Sequence, residues 1–434
     1  MQTASGRSLP VMWLACALAL AGCAARVPTR AVQTVAPVAS PAVAKTAPVA
    51  VILISIDGYR ADYLQRGLSP NLVMLAQQGV RARWMTPSFP TLTFPNHYTL
   101  VTGRYPDHHG IVANEMEDPA IRPDHHFTPS NRKAITDPRW WDGATPLWVS
   151  VQQQGGHAAT MFWPGSEAAI HGVSPDRWVP FDPSVSASAR VDRVLHWLDL
   201  PISQRPRFIT LYFGAVDRQA HRHGPDSAQV DAALRDTDAA VGQLIQGLRQ
   251  RGLFDRMDIV VVSDHGMAAV RGSHRVYLDA LVNPKHLRFR TLGAVAGIDP
   301  SPAFAARIEH RLLAAHPHMR CWRKRDIPAR LHYGSNPRVP AIVCLAQTGW
   351  LITTREAKAR DESPMRGAHG YDNADPLMRA LFVAEGPSFR RGYVAPPFPN
   401  VDVYPLLAHL LRVAPEENDG NYAAVTDMLV PGAR

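Results

Sequence analysis

Apolar, β-branched runs recur along the chain, and each closes on or near an acidic residue. The segments are PVAVILISID at 48–57, RFITLYFGAVD at 207–217 and MDIVVVSDHG at 257–266. Continuous apolar runs of this length are typical of strands that are buried on both faces of a parallel sheet. We therefore predict three core strands, each of which delivers a carboxylate at its carboxyl end.

Helical periodicity lies between these runs. Apolar residues recur at three- and four-residue spacings over 70–79, 145–154, 189–198 and 227–251, and a strand at 379–386 and a helix at 401–412 follow later. The alternation predicts an α/β fold, a three-layer sandwich with a mainly parallel central sheet. Ligands of such folds bind beyond the carboxyl ends of the strands, which is where Asp57, Asp217 and Asp264 fall.

Composition shifts divide the chain into a leader, a tether and a catalytic domain. Residues 1–22 have an early arginine, a short apolar run and small residues, the pattern of an export signal. Residues 23–48 are rich in alanine, valine and proline without amphipathic period, as expected of a tether. The catalytic domain then covers 49–434, and about 285–345, with a helix near 302–315 and a strand at 340–347, forms an inserted subdomain.

Cys23 closes the stretch LAGC, which resembles the lipobox of bacterial lipoproteins. In such proteins the cysteine is lipidated and becomes the first mature residue, so the expectation is an exported protein held by lipid on the periplasmic face of the outer membrane. The alternative is an ordinary cleaved signal with an incidental cysteine. In the remaining chain Cys321 and Cys344 form an isolated pair, and an oxidising compartment favours a disulfide between them over two separate buried thiols.

Charge adds little to this assignment. The chain has 46 basic and 37 acidic residues, a formal net charge of +9 that favours anionic partners. The basic residues are scattered, and the densest cluster, RCWRKR at 320–325, is short and typical of a solvated loop. No nucleic-acid partner is therefore expected. A non-enzymatic lipoprotein that binds anionic surfaces remains an alternative, although it would have no use for the metal ligands that follow.

Imidazoles accompany the three strand-end carboxylates. His221 follows Asp217 by four residues, which places both on one face of a helical turn, His265 follows Asp264 directly, and His369 lies in AHGYDN. Carboxylate and imidazole donors suit Zn²⁺, and there are enough of them here for two ions. Two such ions form the clamp used for in-line displacement at phosphorus.

A nucleophile can come from SFPTLTFPNHYTLVTG at 88–103. The first part is extended, and PNHYTLVTG is predicted as a helix with proline in its first turn. Thr93 then lies just before the helix, where backbone N–H groups and the helix dipole favour a phosphate. Thr91, Thr99 and Thr102 are competitors, and helix capping is the structural alternative for all of them.

Five segments in matching order give the sequence a specific resemblance. ILISIDGYRADYL, PTLTFPNHYTLVTGRYPDHHGI, WPGSEAAIHG, VVVSDHGM and HGYDN are similar to the nucleotide pyrophosphatase/phosphodiesterase family of the alkaline phosphatase superfamily. The resemblance implies an alkaline-phosphatase-like fold and two zinc ions. It implies one zinc on Asp57, Thr93, Asp264 and His265, with Thr93 as the nucleophile, and the other on Asp217, His221 and His369.

The same resemblance implies how a substrate is held. Asn114 matches the side chain that holds a phosphate oxygen, and Phe94 matches one wall of an aromatic slot for a nucleobase. The opposite wall is usually a tyrosine, and here PDRWVPFD offers Trp178 or Phe181 instead. The implied activity is hydrolysis of phosphodiester or pyrophosphate bonds of nucleotides, with release of nucleoside 5′-monophosphates through a phosphothreonine. The alternative substrate is a lysophospholipid or glycerophosphocholine.

Overall fold

The computed structural model describes residues 50–121, 126–359 and 365–433. The predicted export signal, the tether and Cys23 lie outside the described residues, so the lipid anchor stays a prediction. Across the described ranges, no helix has both the length and the apolarity needed to cross a membrane.

The strands of the described chain have at most six residues. They are β1 Val51–Ile56, β2 Val80–Ala82, β3 Met85–Thr86, β4 Ala158–Met161, β5 Arg177–Trp178, β6 Phe208–Phe213, β7 Asp258–Val262, β8 Ala268–Ala269, β9 Arg275–Tyr277, β10 Leu287–Thr291, β11 Val295–Pro300, β12 Met319–Arg323, β13 Ile342–Ala346, β14 Leu351–Thr353, β15 Gly367–Ala368, β16 Phe382–Glu385, β17 Tyr393–Ala395 and β18 Phe398–Pro399.

The helices alternate with the strands of the main sheet, as the periodicity predicts. They are α1 Pro70–Gln78, α2 Thr93–Thr102, α3 Pro106–His109, α4 Arg132–Ile135, α5 Leu147–Gln153, α6 Ala187–Leu198, α7 Ala215–His223, α8 Ala228–Gln250, α9 Ala305–Leu312, α10 Arg355–Ala359 and α11 Val403–Leu411.

The main sheet has eight strands in the order β17-β2-β16-β7-β1-β6-β4-β5. Parallel pairing joins β7, β1, β6, β4 and β5. Only β16 runs against its neighbours β7 and β2. The mainly parallel sheet that the sequence predicts is therefore confirmed, and β1 lies at its centre.

Alternate residues of the central strands face opposite layers. Val51 and Leu53 pack into a core with α2, α5 and α11, whereas Ile52 and Ile54 pack into a second core with α1, α6 and α8. The six residues of β1 are all buried. A strand covered by helices on both faces has no polar side, which is why its sequence is a continuous apolar run. The three-layer α/β sandwich is thereby confirmed.

A second, antiparallel sheet occupies the region that the sequence assigns to a subdomain. Its order is β10-β11-β13-β12, and it packs with α9 in a third hydrophobic core. Cys321 and Cys344 lie opposite each other on β12 and β13, with Cα atoms 4.0 Å apart, and their sulfur atoms form a disulfide. The bridge therefore fastens two neighbouring strands of this sheet.

Candidate active site

Two of the three predicted carboxylates lie within two residues of the carboxyl ends of adjacent strands. Asp57 follows β1, Asp264 lies two residues beyond β7, and the two strands pair in parallel, so both side chains reach the same edge of the sheet. The prediction for Asp217 is wrong in one respect. Strand β6 ends at Phe213, and Asp217 lies in the first turn of α7, because GAVD leaves the sheet and begins the helix.

Gly58 allows these carboxylates to approach one another. It has a φ of +69°, and its N–H donates to Asp264 Oδ1 at 3.1 Å. A Cβ atom at this position would lie 3.0 Å from the Cβ of Asp217. Both the left-handed backbone and the close contact favour glycine, so the dipeptide Asp57-Gly58 is a local requirement of the site.

One set of side chains, the helix group, consists of Asp217, His221 and His369. Asp217 Oδ1 lies 3.3 Å from Nε2 of His221 and 3.6 Å from Nε2 of His369. The two Nε2 atoms are 3.0 Å apart. These distances place three potential ligand atoms around one point, as the spacing of Asp217 and His221 on a helical turn predicts.

A second set, the strand group, consists of Asp57, Asp264, His265 and Thr93. His265 Nε2 lies 2.9 Å from Asp264 Oδ2, 3.6 Å from Asp57 Oδ1 and 3.2 Å from Thr93 Oγ1. Asp57, Asp264 and His265 are at most 2% exposed. The structure thus brings together all four residues that the sequence comparison assigns to one metal.

The histidines of both groups are oriented by main-chain carbonyls. Nδ1 of His221 contacts Gly367 O at 2.8 Å, Nδ1 of His369 contacts Thr91 O at 2.8 Å, and Nδ1 of His265 contacts Gly266 O at 2.9 Å. A carbonyl oxygen only accepts, so each Nδ1 must carry the proton. The Nε2 atoms are then the ones available to hold a metal, which is a common arrangement of histidine ligands.

The donor atoms fit a divalent cation. Asp57 Oδ1, Asp217 Oδ1 and Asp264 Oδ2 are buried and make no hydrogen bond in the described chain. Each of these oxygens faces imidazole Nε2 atoms at the distances given above, and a lone pair opposite a lone pair is unfavourable. Either a proton or a cation must lie between them, and carboxylate and imidazole donors together suit zinc.

Burial and neighbouring charge set the protonation of the helix group. Burial alone would raise the pKa of Asp217, but His221 and His369 hold it at about 2. Burial lowers the pKa of His221, and the Asp217 carboxylate outweighs this effect and raises it to about 9. Burial and the nearby His265 lower the pKa of His369 to about 3. The Asp217 carboxylate therefore favours a positive charge on His221.

Carboxylate repulsion dominates the strand group. Burial, together with the charges of Asp264 and Asp217, raises the pKa of Asp57 well above its ordinary value. Burial would also raise the pKa of Asp264, but His265 and His97 hold it below its usual range. A positive charge placed between these buried carboxylates relieves their repulsion, which is a second reason for a cation here.

Of the four candidate threonines, Thr93 alone has its hydroxyl group beside a candidate metal ligand. Thr91 Oγ1 donates to Tyr371 O and accepts from Gly370 N, Thr99 Oγ1 contacts His109 Nε2, and Thr102 Oγ1 donates to Tyr98 O. Thr93 is the first residue of α2 and caps nothing, since Leu92 is the N-cap residue. The hydroxyl of Thr93 instead faces Nε2 of His265.

Asn114 contacts the start of α2 and the cavity at once. Its Oδ1 accepts the N–H of Phe94 at 2.9 Å, so its Nδ2 amide is the end that can donate to a phosphate oxygen. The expectation that several helix-start amides bind phosphate is wrong. Phe94 N is taken by Asn114, Pro95 has no N–H, and Asn96 N donates to Leu92 O, which leaves at most the Thr93 amide.

A cavity of about 270 Å³ opens beside Thr93. Phe94 and Phe181 both line it, together with Asn114 and Tyr212. Trp178 is in edge strand β5 and is not among the lining residues of this cavity. Of the two aromatic residues that the sequence left open, the structure therefore places Phe181 at the cavity, 45% exposed at its rim.

Sequence reasoning missed two residues around the candidate ligands, Tyr212 and His97. Tyr212 donates to Asp57 Oδ2 at 2.6 Å. His97 is fully buried, with Nδ1 at 3.4 Å from Asp264 Oδ2 and Nε2 at 2.8 Å from Ser55 Oγ. His97 follows Thr93 by four residues on a helix, the same spacing that joins Asp217 to His221, and this signal could have found it.

A protein-family comparison places the chain in a known family. Residues 51–372 match the family described as type I phosphodiesterase / nucleotide pyrophosphatase. The chain belongs to this family. Its sequence resemblance to nucleotide pyrophosphatase/phosphodiesterases is thereby confirmed, and with it the assignment as an enzyme.

Two relatives with names from the same family are similar to this chain over most of its length. The bis(5′-adenosyl)-triphosphatase of Bos taurus is 36% identical over 387 residues, 88% of this chain and 82% of the relative. Family member 5 of the ectonucleotide pyrophosphatase/phosphodiesterases of Homo sapiens is 34% identical over 380 residues, 87% of this chain and 78% of the relative.

Solved structures of the family share the fold. The murine ectonucleotide pyrophosphatase/phosphodiesterase 5, an inactive threonine-to-alanine variant in complex with AMP, superimposes with a TM-score of 0.83 at 33% sequence identity. The match covers 88% of this chain and all of that one. The alkaline-phosphatase-like fold that the resemblance implies is therefore confirmed for this member of the phosphodiesterase family.

Proposed function

We propose that this enzyme uses two zinc ions and a phosphothreonine intermediate to hydrolyse phosphodiester or pyrophosphate bonds of nucleotides, releasing nucleoside 5′-monophosphates. The observation that carries the proposal is the position of Thr93 Oγ1, which lies 3.2 Å from His265 Nε2 at the wall of a cavity that two phenylalanines line. Family membership makes the reaction class that of a phosphoric diester hydrolase.

The strand group would hold one zinc and the helix group the other. When bound, these ions would supply positive charge to the phosphoryl oxygens and lower the pKa of a coordinated hydroxyl. Thr93 Oγ1 attacks phosphorus, the bond to the leaving oxygen breaks, and water later cleaves the phosphothreonine. Asn114 Nδ2 donates to a non-bridging oxygen, because its Oδ1 is fixed by Phe94 N.

A nucleotide is the substrate that the cavity supports best. Phe94 and Phe181 offer aromatic faces on which a base can stack, and stacking tolerates different bases because every base has a π face. Relatives support this choice, since one is named a bis(5′-adenosyl)-triphosphatase and the murine structure contains AMP. A small-molecule phosphodiester is thus the partner at this site.

The LAGC segment supports a second part of the proposal, that the enzyme is exported and acts from a lipid anchor at Cys23 on the periplasmic face of the outer membrane. A tether of about two dozen residues, rich in proline and alanine, would let the catalytic domain reach soluble substrates.

Three chromogenic substrates test the reaction class. The 4-nitrophenyl ester of thymidine 5′-monophosphate should be hydrolysed fastest, ahead of 4-nitrophenyl phosphocholine and 4-nitrophenyl phosphate. Metal analysis should find two zinc ions per chain, and chelation should abolish the activity, which added zinc restores. Faster hydrolysis of the choline ester would favour the lysophospholipid alternative, and full activity in metal-free protein would contradict the mechanism.

A further inference from the structure

The loop that carries Phe181 is held in place by few contacts of its own. It runs from Val179 to Val185 between β5 and α6, and residues 180–184 are all exposed. Phe181 contacts Phe162 edge-on at 5.3 Å and Tyr212 edge-on at 6.0 Å between ring centroids. An exposed loop buries too little apolar surface to fix its position, so polar contacts must do so.

Arg190 supplies two of the polar contacts that join this loop to the rest of the described chain, and the Phe181 N–H donates another to Glu167 Oε1 at 3.2 Å. Arg190 lies in α6 and is only 5% exposed, and no carboxylate lies within ion-pair distance of it in the described chain. Its guanidinium donates to Val185 O at 3.0 Å and to Asp182 O at 3.4 Å, both within the loop. The buried guanidinium therefore donates hydrogen bonds to main-chain carbonyl oxygens of the segment that carries Phe181.

The same guanidinium also reaches the floor of the cavity. It donates to Tyr212 O at 2.7 Å, at the end of β6, and its central carbon lies 5.1 Å from the ring centroid of Phe162. Phe162 and Tyr212 both line the cavity and contact Phe181. The planar guanidinium of Arg190 thus links the exposed loop to the end of β6. A lysine ammonium cannot reproduce this geometry.

We propose that Arg190 is a positioning residue for substrate recognition, which fixes Phe181 as the second wall of the base slot. The inference rests on the proposed function, because it needs a base in that slot. Arg190 touches none of the strand-group or helix-group residues. Its loss should therefore affect recognition of the base and leave the chemistry at phosphorus intact.

The test compares a diester with a base, 4-nitrophenyl thymidine 5′-monophosphate, and one without, methyl 4-nitrophenyl phosphate. For Arg190→Met, kcat/KM on the thymidine ester should fall about 5- to 100-fold, the range of one lost stacking partner, mainly through a higher KM. The rate on the methyl ester should not change. Arg190→Lys should lose part of the same selectivity, and it gives the readout if the methionine variant does not fold.

Arg205→Met is the matched control. Arg205 likewise donates to a loop carbonyl, Leu200 O, at 3.1 and 3.3 Å, but it precedes the amino end of β6 and does not line the cavity. The ratio of the two substrates should stay at the wild-type value in this variant. An equal loss on both substrates in Arg190→Met, or no loss on either, would overturn the inference.

A double mutant shows whether Arg190 acts through Phe181. Phe181→Ala should lose selectivity for the thymidine ester by itself, and adding Arg190→Met should cost little more, because residues of one unit are not additive. Additive losses would overturn the inference. If Phe181→Ala costs nothing, the base slot itself is wrong; if Phe181→Ala loses selectivity but Arg190→Met does not, only the role of Arg190 fails.

Discussion

Thr93 differs from the three other candidate threonines in what its hydroxyl group contacts. Four threonines lie within twelve residues of the chain, and the other three hydroxyls each contact a main-chain group or a histidine of the core. Only the hydroxyl of Thr93 faces a ligand of the proposed metal site. Because it caps no helix, its removal should leave stability almost untouched.

Thr93→Ala should reduce hydrolysis of the thymidine ester by about three orders of magnitude or more, because the covalent route is closed. Thr93→Ser should keep part of the activity, since it restores a hydroxyl at the same place. Steady-state rates with thermal unfolding as the check on folding would measure both.

Thr99→Ala is the control for this comparison. Its hydroxyl contacts the buried His109 of the next helix, α3, so the variant should unfold at a lower temperature and keep its specific activity. A Thr93→Ala enzyme that turned over near the wild-type rate with metal bound would show that the attacking group is a water.

At the scale of elements, the end of β16 carries an unusual carboxyl group. Glu385 is 7% exposed, lies opposite Ile259 of β7 and has an oxygen, Oε2, without a hydrogen bond in the described chain. Burial, followed by the nearby Asp255 and Asp258, raises its pKa from 4.5 to about 7. The folded protein therefore prefers the protonated form of this side chain.

Glu385→Gln should stabilise the protein in a pH-dependent way. A carboxyl group whose pKa is raised by folding contributes its full stability below its ordinary pKa and loses it as the pH rises through the folded value. The variant stays neutral, so its melting temperature should exceed that of the wild type at pH 8 and match it near pH 4.5, with the change between pH 4.5 and 7.

Glu417→Gln is the control for the titration, because the Glu417 side chain is 87% exposed. Its melting temperature should follow that of the wild type at each pH. A difference between Glu385→Gln and wild type that does not vary with pH would show that the two neutral side chains pack differently, and would contradict the titration of Glu385.

At the scale of the whole molecule, the family match and the proposed anchor fall on different segments of the sequence. The family match begins at residue 51, after the predicted signal and tether. The ligand groups, the nucleophile and the cavity all come from the three-layer sandwich. Where the enzyme meets its substrate would then be decided by Cys23 and not by the fold.

Cys23→Ser, expressed in a Gram-negative host, should release the enzyme from the membrane fraction and give a mass without lipid, because the proposed acylation point is the Cys23 thiol. Activity on a soluble diester should be kept. Cys16→Ser is the control, since Cys16 falls inside the predicted signal and its change should leave the anchor in place. Membrane retention and an unchanged mass in Cys23→Ser would contradict lipidation.

The sequence by itself determined the features that depend on local pattern. Apolar runs identified β1, β6 and β7, because a strand covered on both faces has no polar side. Helical periodicity found α1, α5, α6, α8 and α11 to within a few residues, and it paired Asp217 with His221 on one turn. The assignment of the candidate ligands to two metal sites came from the resemblance of five segments to one family.

Only the tertiary structure decided the features that depend on contacts between distant segments. Phe181, and not Trp178, lines the cavity. Arg190 contacts both the loop of Phe181 and the carbonyl oxygen of Tyr212, and no regular spacing in the sequence indicates these contacts. Tyr212 at Asp57 is likewise a contact across 155 positions. Periodicity records which face a residue turns to the core, whereas the partner on the other side is known only once the layers have packed.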